Sequence, residues 1–223
     1  MLDSDIDQKK YRANTPSRYP NDPEQTMWLT QTRKGDSAAF SYIMEKYQQP
    51  VHNLCYRMLN DVNDAEDAAQ EVFARAFFKL DSYDDTAKFS TWLFAIASHY
   101  CIDTLRKRRF NVVQWGDLGA WYQFPDRVTP PPERVLLEAE VAQEIRILLN
   151  VLPPDYRLAI ILKYWYAMSY QEIAQILETT VGAIKSKLFR ARRLLAAKST
   201  RQRQRTRSTS SQMVLAASGP VAY

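Results

Sequence analysis

Ser169–Leu195, SYQEIAQILETTVGAIKSKLFRARRLL, is the stretch that decides how this chain folds. Ser169 and Glu172 have the S-x-x-E spacing of a capping box, which starts a helix at Tyr170. Tyr170, Ile173 and Leu177 recur at i, i+3 and i+7 and give that helix one apolar face. Glu178-Thr179-Thr180 interrupts it, and either threonine can cap a second helix from Val181. Ile184, Leu188, Ala191 and Leu195 form the inner stripe of the second helix. At ~100° per residue, Ser186, Lys187, Arg190 and Arg193 point the other way. A short helix, a tight turn and a longer helix with a basic outer face make a helix-turn-helix, whose second helix lies in the DNA major groove.

The charge distribution supports that reading. The 223-residue chain carries a net +5. After Glu178 there is no acidic residue, while Lys185, Lys187, Arg190, Arg192, Arg193, Lys198, Arg201, Arg203, Arg205 and Arg207 follow. A basic end of this kind suits a polyanion, first of all nucleic acid. No apolar run is long enough to span a bilayer, and the N-terminus lacks a basic-then-apolar signal pattern, so a cytoplasmic protein without membrane insertion is expected. With a hydrophobic share of 46%, five glycines and no recurring alternation, the chain reads as all-α. Cys55 shares a stripe with Val51, Leu54 and Met58, as a core residue would. The pairs His52/Cys55 and His99/Cys101 miss the usual zinc-ligand spacing, so neither a metal nor a cofactor is expected.

Residues 1–23 read as a flexible arm, polar and proline-interrupted. A first helical domain spans 24–110. Within it, Phe40, Ile43, Met44 and Tyr47 form one stripe, and Pro50 is expected to break the chain before the helix Val51–Leu59. Asp64–Leu80 is the clearest helix there. Ala65, Ala69, Val72, Phe73, Ala76 and Leu80 are its inner face, and Asp64, Asp67, Gln70, Glu71, Ala74 and Phe78 its outer one. An acidic face ending in an exposed aromatic suggests a protein partner, although first-turn acids also complement the helix dipole.

The polar loop Asp81–Lys88 contains Tyr83 and leads into a helix from Phe89 to about Arg109. Phe89, Trp92, Leu93, Phe94, Ile96 and Tyr100 are too many apolar groups for one face, and the helix ends in Arg106-Lys107-Arg108-Arg109. Rings that stack on bases beside cations that hold phosphates are the chemistry of unpaired nucleic acid. A helix buried on both sides with a solvated basic end gives the same pattern. Residues 111–133, with prolines and no helical period, read as an extended linker. A second domain covers 134–199: a helix through Leu137, Val141, Ile145, Leu148 and Leu149, another starting at Pro153-Pro154, then the helix-turn-helix. Residues 200–223 read as a disordered basic tail.

DAEDAAQEVFARAF (Asp64–Phe77), FSTWLFAIASHYCID (Phe89–Asp103) and LPPDYRLAIIL, SYQEIAQIL and VGAIKSKLFRARRLL in the second domain together resemble the extracytoplasmic-function (group IV) sigma factors of the sigma-70 family. The resemblance covers roughly Glu24 to Ala197, in order. It implies a region 2-like domain and a region 4-like helix-turn-helix domain, with no chemistry of the chain's own. It further implies a protein that binds the β and β′ subunits of core RNA polymerase, recognises the −10 and −35 elements of promoter DNA and aids strand opening. An anti-sigma factor partner is implied as well.

By position, the resemblance assigns polymerase binding to Asp67, Gln70, Glu71 and Phe78. It assigns −10 DNA binding to Tyr83, Trp92, His99, Arg106 and Arg108, and −35 binding to Ser186, Lys187, Arg190 and Arg193. Three positions depart from the family pattern: His99 where Asn is common, Glu178 in place of a helix-ending Gly, and Ala183 in place of Thr. The alternative is a helix-turn-helix regulator that is not part of the polymerase, which leaves the acidic face of Asp64–Leu80 without a purpose. A nuclease cluster of Asp61, Asp64, Glu66 and Asp67 fails because these residues scatter around their helix.

Overall fold

Three aspartates set where the first helices begin. The computed structural model describes residues 22–114 and 143–217. Asp22 caps α1 (Pro23–Arg33), its Oδ1 accepting from the Gln25 N–H at 2.7 Å. Asp36 caps α2 (Ser37–Leu59), accepting from the Ala38 and Ala39 N–H groups at 2.9 and 3.3 Å. Asp61 caps α3 (Val62–Phe78) through the Asp64 N–H at 3.0 Å. Each cap contributes about 1 kcal/mol. Asn60 ends α2 at φ 60°, a left-handed conformation that asparagine tolerates, so α3 follows at once.

Pro50 does not break the chain: α2 runs through it. A proline inside a helix costs about 3 kcal/mol. Tyr47, Val51, Leu54 and Cys55 are all fully buried around it, and burying each large apolar side chain contributes about 1.5–3 kcal/mol. The core therefore overrides the local preference.

A 3-10 turn, Leu80–Ser82, and a short loop lead into α4 (Phe89–Gln114). α4 packs on α2 and α3 with one side and on the second unit with the other. That second unit contains α5 (described over 143–150), α6 (Pro154–Tyr164), α7 (Tyr170–Ile176) and α8 (Val181–Ala217). Pro153 occupies the position before α6 without a side-chain capping bond, and Pro154 opens the helix, where a missing N–H costs least. Leu158, Ile161 and Leu162 are fully buried, as their spacing predicts, and Trp165 is half-buried beneath the Arg57 guanidinium, 5.2 Å from its ring.

The ends of these elements differ from expectation in two places. α4 continues to Gln114, past the expected start of the linker, and residues 115–133 of that linker lie outside the described residues. The arm before Asp22, and Leu137 and Val141, lie outside them too. α8 does not stop near 199. It runs on to Ala217, because no helix-breaking residue intervenes before Gly219-Pro220.

The two helical units share one continuous buried cluster. Phe94 of α4 packs edge-on against Tyr166, their ring centroids 4.8 Å apart, and the Tyr166 hydroxyl donates to the Pro50 carbonyl at 2.6 Å. Arg146 Nη1 donates to the Tyr56 hydroxyl at 2.7 Å. Arg157, buried in α6, donates to three carbonyls: Leu149 at 3.0 Å, Asn150 at 3.3 Å and, across the interface, Met58 at 2.7 Å. Burial pushes its pKa down to about 10, so at neutral pH a full cation sits between the units. Among the described residues, carbonyl dipoles rather than a carboxylate hold it there.

Candidate nucleic-acid interface

Three surfaces carry the groups expected to bind. On α3, Asp67 and Gln70 are exposed, and Glu71 is half-buried with its Oε1 2.7 Å from Arg75 Nε. Phe78 is 82% exposed at the end of the helix, with Phe77 edge-on beside it at 5.8 Å. The opposite face is buried through Ala65, Ala68, Ala69, Val72, Phe73 and Ala76. An acidic helix face with an uncovered aromatic at its tip is thus present as the sequence suggests.

The second surface is the outer line of α4 and the loop before it. Lys88, Trp92, His99 and Arg106 fall within one narrow stripe at ~100° per residue. Lys88, His99 and Arg106 are exposed and Trp92 is half-buried. Arg106 Nη1 stands 3.1 Å from Asp103 Oδ1, an exposed pair on the same helix. The inner line, Phe89, Leu93, Phe94, Ala97 and Cys101, is fully buried. The surplus of aromatics is thereby explained. Phe89 fills the first unit, Phe94 reaches the second, and Trp92 is left at the rim.

Tyr83 and Arg108 stand elsewhere. Tyr83 is 4% exposed; its hydroxyl donates to the Ala87 carbonyl at 2.7 Å, and its ring packs on Phe89 and Trp92 at 5.3 and 5.4 Å. It shapes the loop from inside. Arg108 is ion-paired with Asp64 of α3, and its Nη1 reaches the Leu59 carbonyl at 3.5 Å. Its charge ties α4 to α3, while Arg106 faces solvent. The spacing of charges along one helix could not tell these two arginines apart.

The third surface is the helix-turn-helix. Its capping box is complete: the Glu172 N–H donates to Ser169 Oγ at 3.2 Å, and the Ser169 N–H donates to Glu172 Oε2 at 2.7 Å. Thr180 Oγ1 accepts from the Ala183 N–H at 3.2 Å and caps α8. Glu178 takes φ 47°, keeping the left-handed turn that a glycine adopts freely, at about 1–2 kcal/mol. Ile184, Leu188 and Ala191 are buried as their register predicts. Ser186, Arg190 and Arg193 are exposed. Lys187 is half-buried, its Nζ 2.7 Å from Asp155 Oδ2 of α6, and so braces the unit internally.

Two residues that the sequence reading did not single out as binding groups join these surfaces. Phe189 is 56% exposed between Ser186 and Arg193, whose guanidinium lies 5.9 Å from its ring. Its outward register, opposite Ile184 and Leu188, was the signal available in the sequence. Lys88 heads the α4 stripe. Its ammonium lies 2.8 Å from Glu172 of the capping box.

The structure brings the second and third surfaces together. α7 packs against α4, and His99 Nε2 lies 3.7 Å from Glu178 Oε1. Burial opposes ionisation of Glu172, but hydrogen bonds from Lys88 and Ser169, aided by the Lys88 charge, outweigh it and hold the carboxyl below its usual range.

This arrangement has relatives. The chain matches the family model for Sigma-70 region 2 over residues 43–111 and that for Sigma-70, region 4 over residues 142–195. It is 38% identical over 174 residues to the ECF RNA polymerase sigma factor SigW of Bacillus subtilis (strain 168), covering 75% of this chain and 92% of that one. With the ECF RNA polymerase sigma-E factor of Escherichia coli (strain K12) the identity is 32% over 174 residues, covering 74% of this chain and 88% of that one. A solved structure of the sigma factor RpoE of Bartonella quintana, in complex with the anti-sigma factor NepR, is similar at a TM-score of 0.57. It is 28% identical and covers 70% of this chain and 93% of that one. Two helical units with the region 2 and region 4 patterns, in that order and over most of the length of such relatives, mean that the chain belongs to the extracytoplasmic-function sigma factors of the sigma-70 family.

Proposed function

We propose that this sigma factor, which directs promoter-specific transcription initiation with RNA polymerase, divides the work among the three surfaces. Asp67, Gln70, Glu71 and Phe78 dock on core polymerase. Trp92, His99 and Arg106, with Lys88 at their head and Tyr83 supporting them from inside, engage the −10 element. Ser186, Arg190, Arg193 and Phe189 read the −35 element in the major groove, where a guanidinium can bond guanine and a ring can contact a thymine methyl. Lys187 and Arg108 serve mainly to brace their units.

The observation that carries this reading is the α4 stripe, in which a half-buried tryptophan, a histidine and an arginine share one accessible line. Stacking and phosphate contacts of that kind offset the few kcal/mol needed to take a base out of the duplex.

The closed arrangement is then a resting form. By their names the two promoter elements are centred roughly 25 base pairs apart, about 85 Å at the ~3.4 Å rise of B-DNA. Surfaces joined through Lys88 and Glu172 cannot read both at once, so the units separate on the polymerase. We extend to this chain an anti-sigma factor that holds it inactive, as NepR is seen in complex with RpoE. We place its work in the cytoplasm; among the described residues no helix is long and apolar enough to cross a membrane.

Run-off transcription with core polymerase and a promoter library tests the proposal. A transcript that requires this protein, and whose start follows particular −10 and −35 sequences, is expected. Promoter binding without any association with core polymerase would favour the independent regulator instead.

A further inference from the structure

α1 lies before the segment matched by the region 2 family model, and its last residue, Arg33, grips the loop that precedes α4. Arg33 Nη1 donates to Asp85 Oδ2 at 2.7 Å, and Nη2 donates to the carbonyls of Tyr83 at 2.6 Å and Leu80 at 3.4 Å. The guanidinium carbon stands 5.6 Å from the Tyr83 ring. Tyr83 in turn packs on Trp92 at 5.4 Å. A contact chain thus runs from α1 through the loop to the rim of the α4 stripe.

α1 is itself firmly seated. Gln25 is fully buried and its Oε1 accepts from the Tyr47 hydroxyl at 2.8 Å. Trp28 stacks on Tyr42 at 5.4 Å, and Asp22 is paired with Lys46. The fork that Arg33 presents to the loop therefore stands on a rigid base.

We propose that Arg33 is a positioning residue for strand opening: its guanidinium holds the Leu80–Asp85 backbone so that Tyr83 backs Trp92 in a preformed −10 site. The proposal rests on the reading of the α4 stripe given above. A site assembled before the base arrives avoids the entropy of ordering a loop at the moment of binding. Only a planar fork can span one carboxylate and two carbonyls at fixed angles; an ammonium supplies the charge without the geometry. The Asp85 carboxylate and the Tyr83 ring that this guanidinium meets both lie within the same loop.

The test uses the full chain with core polymerase and three variants: Arg33→Ala, Arg33→Lys and, as a control on the site itself, the double substitution Trp92→Ala with His99→Ala. Promoter opening is followed by 2-aminopurine fluorescence at the −10 element on duplex and on a pre-opened bubble, with base preference scored at each −10 position. Arg33→Ala is expected to slow opening of duplex roughly tenfold, the scale of losing a charge-assisted hydrogen bond, with little change on the bubble. Preferences at −10 flatten while those at −35 stay, and co-elution with core polymerase is retained. Arg33→Lys recovers only a minor part.

Wild-type opening and preferences in Arg33→Ala, alongside a defective control, overturn the role of Arg33 alone. A control that behaves as wild type overturns the reading of the α4 stripe and this proposal with it. Full rescue by lysine, or an equal loss on duplex and bubble with a lowered melting temperature, shows ordinary structural support and also overturns it.

Discussion

Lys88 Nζ and Glu172 Oε1 stand 2.8 Å apart, joining the loop before α4 to the capping box of the helix-turn-helix. The same carboxylate accepts from the Ser169 N–H through its other oxygen at 2.7 Å. One side chain therefore starts a helix and latches the two units, which in the proposed function part for promoter recognition. Its side chain is 11% exposed and that of Lys88 44%, so the pair is only partly screened.

Glu172→Gln separates the two tasks of this residue. Glutamine still serves at the third position of a capping box, so α7 keeps its start. The ion pair is lost, and a partly exposed pair is worth up to about 1 kcal/mol, which corresponds to about a fivefold shift toward the open form. Energy transfer between dyes on α3 and α8 should fall in the variant while far-ultraviolet dichroism stays constant. Unchanged transfer efficiency would show that the remaining contacts alone hold the units together.

Acid should open the wild-type protein. The Glu172 carboxyl is held below its ordinary value of 4.5 in the folded chain, so its contribution is present in full above that value. It is lost as pH falls through the lower folded pKa. The open fraction is therefore expected to rise as the solution becomes more acidic than about pH 4.5, and to rise less steeply in Glu172→Gln. A pH titration of the same dye pair checks both, with melting temperature recorded to exclude global unfolding.

Reversing the charge of the α3 face should abolish docking and spare the fold. Asp67 is exposed, and Glu71 contacts Arg75 one turn away. Changing both acids to arginine creates a like-charge neighbour that costs only a few tenths of a kcal/mol. Gel filtration with core polymerase is expected to show no co-elution, at unchanged helicity. Normal co-elution would remove these two acids from the docking face and leave exposed Phe78 as the next residue of that face to replace.

Arg190 and Lys187 should behave differently, although the sequence places them on the same outer face. Arg190 is exposed; Arg190→Ala is expected to cost about 1–3 kcal/mol at one −35 position and to relax specificity there. Lys187 is engaged by Asp155, so Lys187→Ala should lower the melting temperature slightly, by up to about 1 kcal/mol of stability, and weaken all promoters alike. A −35 library scored beside thermal melts distinguishes the two outcomes. Identical profiles for the two variants would contradict the orientation of α8.

The sequence alone determined the helix-turn-helix, the acidic α3 face and the order of the helices. Each of these rests on contacts within a few residues: Ser169 with Glu172, Thr180 with Ala183, and the i, i+3, i+4 stripes. Local hydrogen bonds and helical register act before any long-range packing, so they can be read from spacing. Only the tertiary structure decided which charges are spoken for. Arg108 with Asp64, Lys187 with Asp155, Lys88 with Glu172 and Arg33 with Asp85 join residues far apart in the chain, where nothing local favours one cation over its neighbour. Packing likewise turned Tyr83 inward and carried α2 through Pro50, because burial of several large side chains outweighs the preference of any single residue.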